Sequence, residues 1–433
     1  MSTLEYGGTT YGGAVYGDTH GAPGTWGYQT WGSNVWGGVL RTAPSFGVEV
    51  ERTPGEWVDV LCDVRAIDIQ RGRSEQLASF AAGTATITLA DASDDYNAWN
   101  PSGMWSQNGA FRTDVGIRVS VVLGVDRHYL FTGTTDDVID SWPNAGADAL
   151  TEVHATDAFK SLARARPAKL GAAVGAGELP GVRVGRVLDS VSFTGPRNLE
   201  PGSIALQGTV LDGTAIDLAD EARECEWGGL YVDGDGTVRF RARDALVTDP
   251  RMAQVQWTFD DEDRFGPCYS DLRLMASDEK VYNYAAISRV GGTPQVATIA
   301  DSLGWYGPRT YTRTLPINDD AGALTLAQTI VAQHAYNERR IDAIVLDPGW
   351  HAELWPAAVG VQLLDRVRVI RRTGVVIDAE LLVQSIHHAI TGGGKDDGTP
   401  GTWQVTLETT NARAVRDAGQ WDVSGWDVGK WSV

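Results

Sequence analysis

The chain has 433 residues, with 56 Asp or Glu against 36 Lys or Arg, so its formal net charge at pH 7 is −20. This length allows two to four domains with cores of their own. The charge argues against tight nucleic-acid binding, which needs Lys and Arg to neutralise phosphates. Ordinary solubility explains the charge, and so does a wall along which DNA slides without sticking.

The sequence does not indicate a membrane protein, a secreted protein or a metalloprotein. No run of about 18 apolar residues occurs, so we expect no membrane span. The Gly- and Tyr-rich start does not have the pattern of a secretory signal. Cys62, Cys225 and Cys268 are far apart and include no CxxC motif, so we expect reduced, buried thiols without a disulfide framework or zinc site.

Residues 1–45 form a Gly/Tyr/Trp extension whose aromatic residues recur every five positions, and a Trp tail in 411–433 keeps the same step. A spacing of five residues places successive rings on opposite faces of a strand, and about 140° apart around a helix. We therefore expect one tight turn per repeat, each presenting one ring, with a flexible low-complexity tail as the alternative. Such rings are stabilised by burial, so we predict an interface. The interface residues are Tyr6, Tyr11, Tyr16, Trp26, Trp31, Trp36, Trp421, Trp426 and Trp431.

Residues 46–165 are predicted to form a first β-rich domain, because apolar and polar residues alternate in several short segments. The segment "TDAFKSLARA" at its end predicts a short helix with Thr156 or Asp157 as the cap. The alternating apolar residues are Phe46, Val48, Val50, Ala85, Ile87, Leu89, Val115, Ile117, Val119 and Val121.

Residues 166–264 are predicted to be a linker followed by an α+β insert. The Gly-, Ala- and Pro-rich stretch 166–202 is interpreted as linker and loop. Thr214 and Asp217 form a capping box for a helix from Ala215 to about Trp227. The sequence "DGDG" then predicts a hairpin that joins strands 230–232 and 238–240.

Residues 265–410 are predicted to form a second β-rich domain that carries one helix. Thr325 and Gln328 form the capping box expected for this helix, from Leu324 to Arg339. Alternation returns around Val367 and Val369. The predicted order is therefore β domain, α+β insert, β domain, with aromatic extensions at both ends.

Three groups of acidic or histidine residues are candidates for metal binding or acid–base chemistry. Asp233 and the residues after it do not fit a calcium loop, because Val238 and Asp244 stand where Gly and Glu are required. "DDED" from Asp260 has no neighbouring His, Lys or nucleophile in sequence and is interpreted as a solvated acidic loop. His387 and His388 would face opposite sides of a strand and could not chelate one metal together.

Motifs that carry catalysis are not found in this sequence. "GAAVGAG" lacks the Lys and Ser/Thr of a phosphate loop, and no GxSxG or HExxH pattern occurs. We predict no catalytic, cofactor-binding or metal-binding residues and therefore no enzyme. A weaker alternative is a cell-wall hydrolase with Asp136 and Asp140 as its carboxylate pair.

An ordered series of segments resembles the minor tail proteins, or baseplate (tail-tip) hubs, of long-tailed actinobacteriophages. The resemblance covers roughly 46–410, and the sequence departs from it at Ala90-Asp91, where Leu-Asp-Asn is expected. The first part of the series is Arg71-Gly72-Arg73, Leu77, Phe80, Gly83-Thr84, Ile87, Leu89, Tyr96 and Asn100-Pro101, then "LFTGTTDDV" and "ATDAFKSLA". It continues with "GGLYVDGDGTVRFRAR", "VYNYAAISRVGG", "DSLGWYGPRTYTRTLPI", "LLDRVRVI", "IHHAI" and "TWQVTLETT".

The resemblance implies a structural protein of the virion tail tip, assembled in the host cytoplasm. Its fold would be two β-barrel-like, tube-type domains flanking a small α+β domain. Three copies would form a ring that adapts the six-fold tail tube and surrounds the DNA exit channel during genome ejection. The implied partners are further copies in a homotrimer, the distal tail protein or tail tube, the tape-measure protein, and other minor tail or fibre proteins, without specific nucleic-acid binding.

A peripheral minor tail protein that binds host-surface carbohydrate or a receptor is the alternative function. The sixteen Trp residues favour it, since sugars stack on exposed rings. The mass of the purified chain distinguishes the two functions. A trimer favours the hub, and a monomer with affinity for glycans favours the alternative.

Overall fold

The computed structural model describes residues 44–74, 78–107, 110–112, 114–146, 148–168, 171–262, 266–277, 280–336, 339–349, 351–392 and 401–412. Strands dominate these ranges, so the predicted mainly β class is confirmed. The alternating apolar residues of 46–121 point into the core, and all ten are buried as predicted.

The first part of the chain supplies nine strands and two short helices, with a 3-10 turn at Leu61–Asp63. The strands are β1 (Ser45–Thr53), β2 (Glu56–Asp59), β3 (Val64–Gly72), β4 (Ala81–Ala90), β5 (Ser106–Gln107), β6 (Ala110–Phe111), β7 (Gly116–Leu123), β8 (Asp126–Ser141) and β9 (Leu150–Thr156). The helices are α1 (Pro143–Gly146) and α2 (Phe159–Arg164).

The middle part holds four helices and four strands. The helices are α3 (Pro180–Ser190), α4 (Ala215–Glu226), α5 (Ala245–Thr248) and α6 (Pro250–Ala253). The strands are β10 (Arg197–Leu199), β11 (Gly229–Val232), β12 (Val238–Arg241) and β13 (Val255–Asp260).

The last part supplies eight strands and three helices, with a 3-10 turn at Ala352–Leu354. The strands are β14 (Asp271–Ala276), β15 (Tyr284–Arg289), β16 (Gln295–Thr298), β17 (Thr310–Leu315), β18 (Arg339–Leu346), β19 (Arg366–Arg371), β20 (Ile377–Thr391) and β21 (Thr402–Asn411). The helices are α7 (Ala300–Tyr306), α8 (Asp320–His334) and α9 (Trp355–Gly360).

One continuous sheet links the first and last parts of the chain. Its strand order is β14-β18-β21-β20-β3-β4-β9-β8-β7-β1-β2, with β19 pairing β20 and β13 pairing β19 as a branch. The two halves join where β3 pairs antiparallel with β20, from Gly72↔Ser385 to Ala66↔Thr391. Seven strands therefore lie on one side of this joint and six on the other.

The helical elements and two small sheets pack together beside the large sheet. One small sheet is β10-β12-β11 and the other is β16-β15-β17. Glu224 on α4 accepts hydrogen bonds from Tyr311 (3.2 Å) and Arg313 (2.8 Å) on β17. The Trp227 ring meets the Tyr311 ring edge-on at 6.1 Å. Contacts therefore cross the predicted boundary at residue 264, and the domain limits stay a prediction.

The predicted helix at 215–227 and the hairpin after it are confirmed. The Thr214 hydroxyl accepts from the Asp217 amide, and α4 ends at Trp227 with a left-handed φ of 60°. β11 and β12 then pair antiparallel across "DGDG". Local turn and cap chemistry decided both elements, so the sequence was sufficient to place them.

Two helix predictions are wrong in part. The expected loop at 166–202 contains α3, which begins at Pro180 and buries Val184, Val187 and Leu188 on one side. Helix α8 begins at Asp320 rather than Leu324, because the Asp319 carboxylate accepts from the Gly322 amide at 2.7 Å.

The second β-rich region also differs from prediction. The expected cap residue Thr325 lies inside α8, where its hydroxyl donates to the Ala321 carbonyl at 2.9 Å. The helix ends at His334, and Arg339, its expected last residue, begins β18. The described residues of 265–410 also contain α7 and α9, so this region carries three helices rather than one.

The cysteine prediction is corrected at two positions. Cys225 is buried as predicted, but Cys268 is half-buried and Cys62 is exposed. Cys62 sits in the 3-10 turn that connects β2 to β3, where no core covers it.

We predict that Gly72→Ala destabilises the protein by more than about 2 kcal/mol. Gly72 has φ +119°, and a Cβ there would overlap the Gln384 carbonyl oxygen and the Ser385 Cα across the joint. Gly55→Ala is the control, since Gly55 has φ +85° with open space around it. It should lose about 1 kcal/mol or less. Urea unfolding measures both, and equal losses would contradict a close approach at the joint.

Candidate functional site: the buried junction and the exposed aromatic surfaces

The predicted interface residues lie outside the described residues. They are Tyr6, Tyr11, Tyr16, Trp26, Trp31, Trp36, Trp421, Trp426 and Trp431. The interface hypothesis for both extensions therefore stays a prediction. The described residues offer two other features: a buried polar junction between the sheet halves, and aromatic side chains held at the surface.

Residues that carried the family resemblance converge at this junction. Arg71 is 3% exposed and reaches Asp233 in the β11–β12 turn, at 3.5 Å. Asp233 also pairs with Arg239 at 2.6 Å. Burial lowers the pKa of Arg71, while the charges of Asp233 and Asp157 oppose that shift. An ion pair thus fixes the hairpin of the middle region to the strand that joins the two sheet halves.

Arg73 makes a second contact set on the same strand end. Its Nε donates to Gln384 Oε1 on β20 at 2.7 Å, and its guanidinium lies 4.4 Å from the centroid of the Phe80 ring. The Phe80 ring in turn lies 5.2 Å from Tyr231 on β11. These contacts connect β3, β20 and β11 through one short segment.

Asp157 closes the junction from the side of α2. Its Oδ2 accepts from the Gly83 amide at 2.6 Å, and its Oδ1 accepts from the Phe159 amide at 2.9 Å. Burial raises the pKa of Asp157 to about 7, against the opposing effect of these amides and of Arg71. The carboxyl group therefore holds β4 and the start of α2 together and has no free oxygen for a ligand.

The "DGDG" turn of the β11–β12 hairpin packs against β8. The Gly234 carbonyl accepts from the Thr132 hydroxyl on β8 at 2.9 Å, and a Cβ at Gly234 would overlap the Tyr129 carbonyl. The Asp235 carboxylate accepts from the Thr237 amide at 2.9 Å. Both turn carboxylates thus have protein partners, in agreement with the hairpin interpretation.

The other acidic candidates are also engaged by the protein. Asp136 pairs with Lys160 at 2.8 Å, and Asp140 accepts from the Thr151 hydroxyl (2.8 Å) and the Ala98 amide (3.0 Å). In the "DDED" loop, Asp260 pairs with Arg372 at 2.6 Å. These carboxylates connect strands and loops, so none is arranged as an acid–base pair. No group of three or more His, Cys, Asp or Glu in the described ranges is placed to hold a metal ion.

His387 and His388 face opposite sides of β20, as predicted. His387 Nε2 bonds Asp68 at 2.8 Å on the exposed side. His388 is 1% exposed, and its Nδ1 accepts from Trp403 Nε1 at 3.4 Å. Burial, with the charges of Arg71 and His387, lowers the pKa of His388 to about 3. His388 is therefore neutral in the folded protein at physiological pH.

A rigid loop between β4 and β5 presents Trp99 to solvent with 88% of its surface exposed. The loop is built by Tyr96, whose hydroxyl donates to Asp63 at 2.7 Å and whose carbonyl accepts from buried Trp105 Nε1 at 2.7 Å. Asn97 Oδ1 accepts from the Trp99 amide itself at 2.9 Å. These hydrogen bonds hold the backbone that carries Trp99 in one conformation.

A second exposed aromatic group lies on the α7–α8 side of the molecule. The Trp305 ring is 67% exposed and meets the Tyr336 ring at 5.8 Å, with an angle of 63° between them. Tyr306 lies 6.5 Å from Trp305. Neither surface could be predicted from the sequence beyond the number of Trp residues, because exposure depends on tertiary packing.

No helix in the described ranges combines the length and the apolar character that a bilayer crossing requires.

The fold of this chain is similar to that of solved tail proteins. A search of protein-family models and a search of curated proteins found no match. The prophage MuSo2 43 kDa tail protein of Shewanella oneidensis has 15% sequence identity and a TM-score of 0.52, covering 86% of this chain and 98% of its own. A tail protein of Neisseria meningitidis MC58 has 12% identity and a TM-score of 0.56, covering 87% and 99%. The chain is therefore similar in fold to phage-type tail proteins along most of its length.

We predict that His388→Phe removes an acid-dependent loss of stability. A His with pKa 6.5 unfolded and about 3 folded binds its proton only after unfolding, so wild-type stability is present above pH 6.5 and is lost as the pH falls toward 3. At pH 5 this loss is about 2 kcal/mol. The measurement is urea unfolding of both proteins from pH 7.5 to 4.5.

The difference between wild type and His388→Phe isolates this group from Asp157, whose raised pKa acts in the opposite direction between pH 4 and 7. His387→Gln, on the exposed face of the same strand, is the control and should keep the wild-type slope. An unchanged slope in His388→Phe would contradict a buried neutral His388.

We predict that Trp99→Ala changes the free energy of unfolding by less than about 0.5 kcal/mol, because the ring contributes to a surface rather than a core. Trp105→Ala in the same loop should cost about 3 kcal/mol or more, since that ring is 1% exposed. Thermal and urea unfolding compare the two variants. Comparable losses would show that Trp99 supports the loop instead of being presented by it.

Proposed function

We propose that this chain is a structural component of a phage-type tail, and that it acts as a trimeric hub at the tail tip. The likeness in fold to two tail proteins supports the first part, since it spans 86% and 87% of this chain. The observation that carries the hub is the joint between β3 and β20, which holds two strand-built halves in one polypeptide.

Symmetry and this division support a trimeric hub. Three copies of a chain with two similar halves present six positions, which matches a six-fold tube above. The strand pairing at the joint and the Arg73–Gln384 hydrogen bond tie the two halves together, which supports a ring built from both. Net charge of −20 suits a channel wall along which DNA passes without adhering.

In this function the chain is a scaffold and carries no catalytic step. Its carboxylates at Asp136, Asp140 and Asp260 are engaged by Lys160, the Ala98 amide and Arg372. The expected neighbours are the distal tail protein or tail tube, the tape-measure protein and other minor tail or fibre proteins, and its location is the virion tail tip.

A second candidate function is binding of host-surface carbohydrate by a peripheral tail protein. The exposed Trp305 and Tyr336 rings favour it, because crossed rings 5.8 Å apart offer a face on which a sugar stacks. In this case the chain would act as a monomer with affinity for glycans.

The full-length chain should have three times the monomer mass by light scattering at micromolar concentration, and it should bind no host glycan. A monomer at all concentrations would contradict the hub. If the monomer also binds purified host cell-wall polysaccharide, and Trp305→Ala abolishes that binding, the second function is correct. Val375→Ala is the matched control, since Val375 is 73% exposed but lies in the β19–β20 turn away from the aromatic pair.

A further inference from the structure

The strand β14 lies at one end of the large sheet with a free edge. It pairs antiparallel with β18 on one side, from Asp271↔Val345 to Ala276↔Arg339. Among the described residues no strand pairs with its other side. An edge strand of this kind leaves alternate backbone N–H and C=O groups without a partner strand and invites the addition of another.

Side chains on both faces of β14 are exposed. Leu274 is 55% exposed, and Met275, which points to the other face, is 37% exposed. Asp271 and Arg273 are exposed as well. Proteins usually shorten, charge or cover such an edge, because an apolar one promotes aggregation. This strand has six residues and apolar groups on both faces, so a covering segment is expected.

The chain leaves the described structure close to this edge. On β21, Glu408 pairs with Ala343, and Asn411 is the last paired residue. Across β18, Ile341 pairs with Leu274. The end of β21 and the end of β14 therefore lie on the same side of the sheet, two strands apart. Residues 413–433 continue from this point.

The continuing segment is long enough to reach the free edge. A strand added outside β14 lies three strand spacings from β21, which is about 14 Å. Five or six extended residues span about 17 to 20 Å. Residues 413–420 suffice for the connection, and the six residues 421–426 are then level with the six residues of β14 in the antiparallel direction.

The five-residue step of this segment matches an edge exposed on both faces. In a strand, Trp421 and Val423 point to one face, whereas Trp426 and Val428 point to the other. Leu274 and Met275 likewise point to opposite faces of β14. Within 421–426, Trp421 and Val423 are therefore available for one exposed face and Trp426 for the other.

We infer that residues 421–426 bind the free edge of β14 of the same chain as an added antiparallel strand, with Trp421 and Trp426 on its two faces. This docking extends the sheet and covers Leu274, which lies opposite Val423. It gives the Trp-containing segment a binding site within its own chain. The inference does not depend on the hub function, because it rests only on the sheet edge and on the position where β21 ends.

A photo-crosslinking experiment on the full-length chain tests the inference. Leu274 is replaced by benzoylphenylalanine, and equal amounts of ¹⁴N- and ¹⁵N-labelled protein are mixed before irradiation. We expect crosslinks from position 274 to peptides of 419–430 in which both halves carry the same label. The control places the crosslinker at Val296, which is 43% exposed on β16, an edge strand of a different sheet. It should give no crosslink to 419–430.

Crosslinks between unlike labels would overturn docking within one chain and show exchange between copies. Crosslinks to residues 1–43, to another surface, or to nothing would overturn the choice of occupant.

Amide hydrogen exchange of the protein that keeps Leu274 provides the second measurement. In the full-length chain, amides of 271–276 should exchange about tenfold or more slowly than in Val423→Pro, which removes a donor from the added strand. Val415→Pro, in the connecting residues, is the matched control and should keep slow exchange. Fast exchange in the wild type, or no difference between the two proline variants, would contradict the docking.

Discussion

The pairing of β3 with β20 is the constraint on which the rest of the structure depends. These strands are more than 300 residues apart in sequence, yet they lie side by side over seven residue pairs. Gly72 allows the close approach, and Arg71 and Arg73 fill the space beside it with contacts to Asp233 and Gln384. The Phe46 ring on β1 also meets the Trp403 ring on β21 edge-on at 5.1 Å, so a packing contact between the halves reinforces the strand pairing.

Buried charge at the junction favours one arrangement of the three regions. An Arg that is 3% exposed is costly unless an acid lies beside it, so Arg71 requires the β11–β12 turn to bring Asp233 into place. Asp157 similarly requires the Gly83 and Phe159 amides. Arg71 takes its partner from the middle region, whereas Asp157 takes both partners from the first region. A packing that separates Arg71 from Asp233 therefore leaves a buried charge without its partner.

Local chemistry made part of this fold predictable from the sequence. Alternation placed the buried residues of β1, β4 and β7, and the Thr214 cap and "DGDG" turn placed α4 and its hairpin. Helix α3 was missed because its Gly- and Pro-rich composition concealed the spacing of Val184, Val187 and Leu188. The start of α8 was wrong because two capping residues compete within a few positions, and only the packing of the first turn selects Asp319. The joint, the exposure of Trp99 and the Trp305–Tyr336 pair depend on distant residues, which no local pattern encodes.

We propose that the two strand-built halves, joined where β3 pairs with β20, allow three chains to occupy six positions around an axis. Electron cryo-microscopy of the purified protein, averaged without imposed symmetry, tests this arrangement. The expected result is a closed ring of three chains with six comparable sheet modules around an open channel. Single chains, or a closed assembly in which the two sheet halves of each chain do not take alternate positions around a common axis, would contradict the proposed ring.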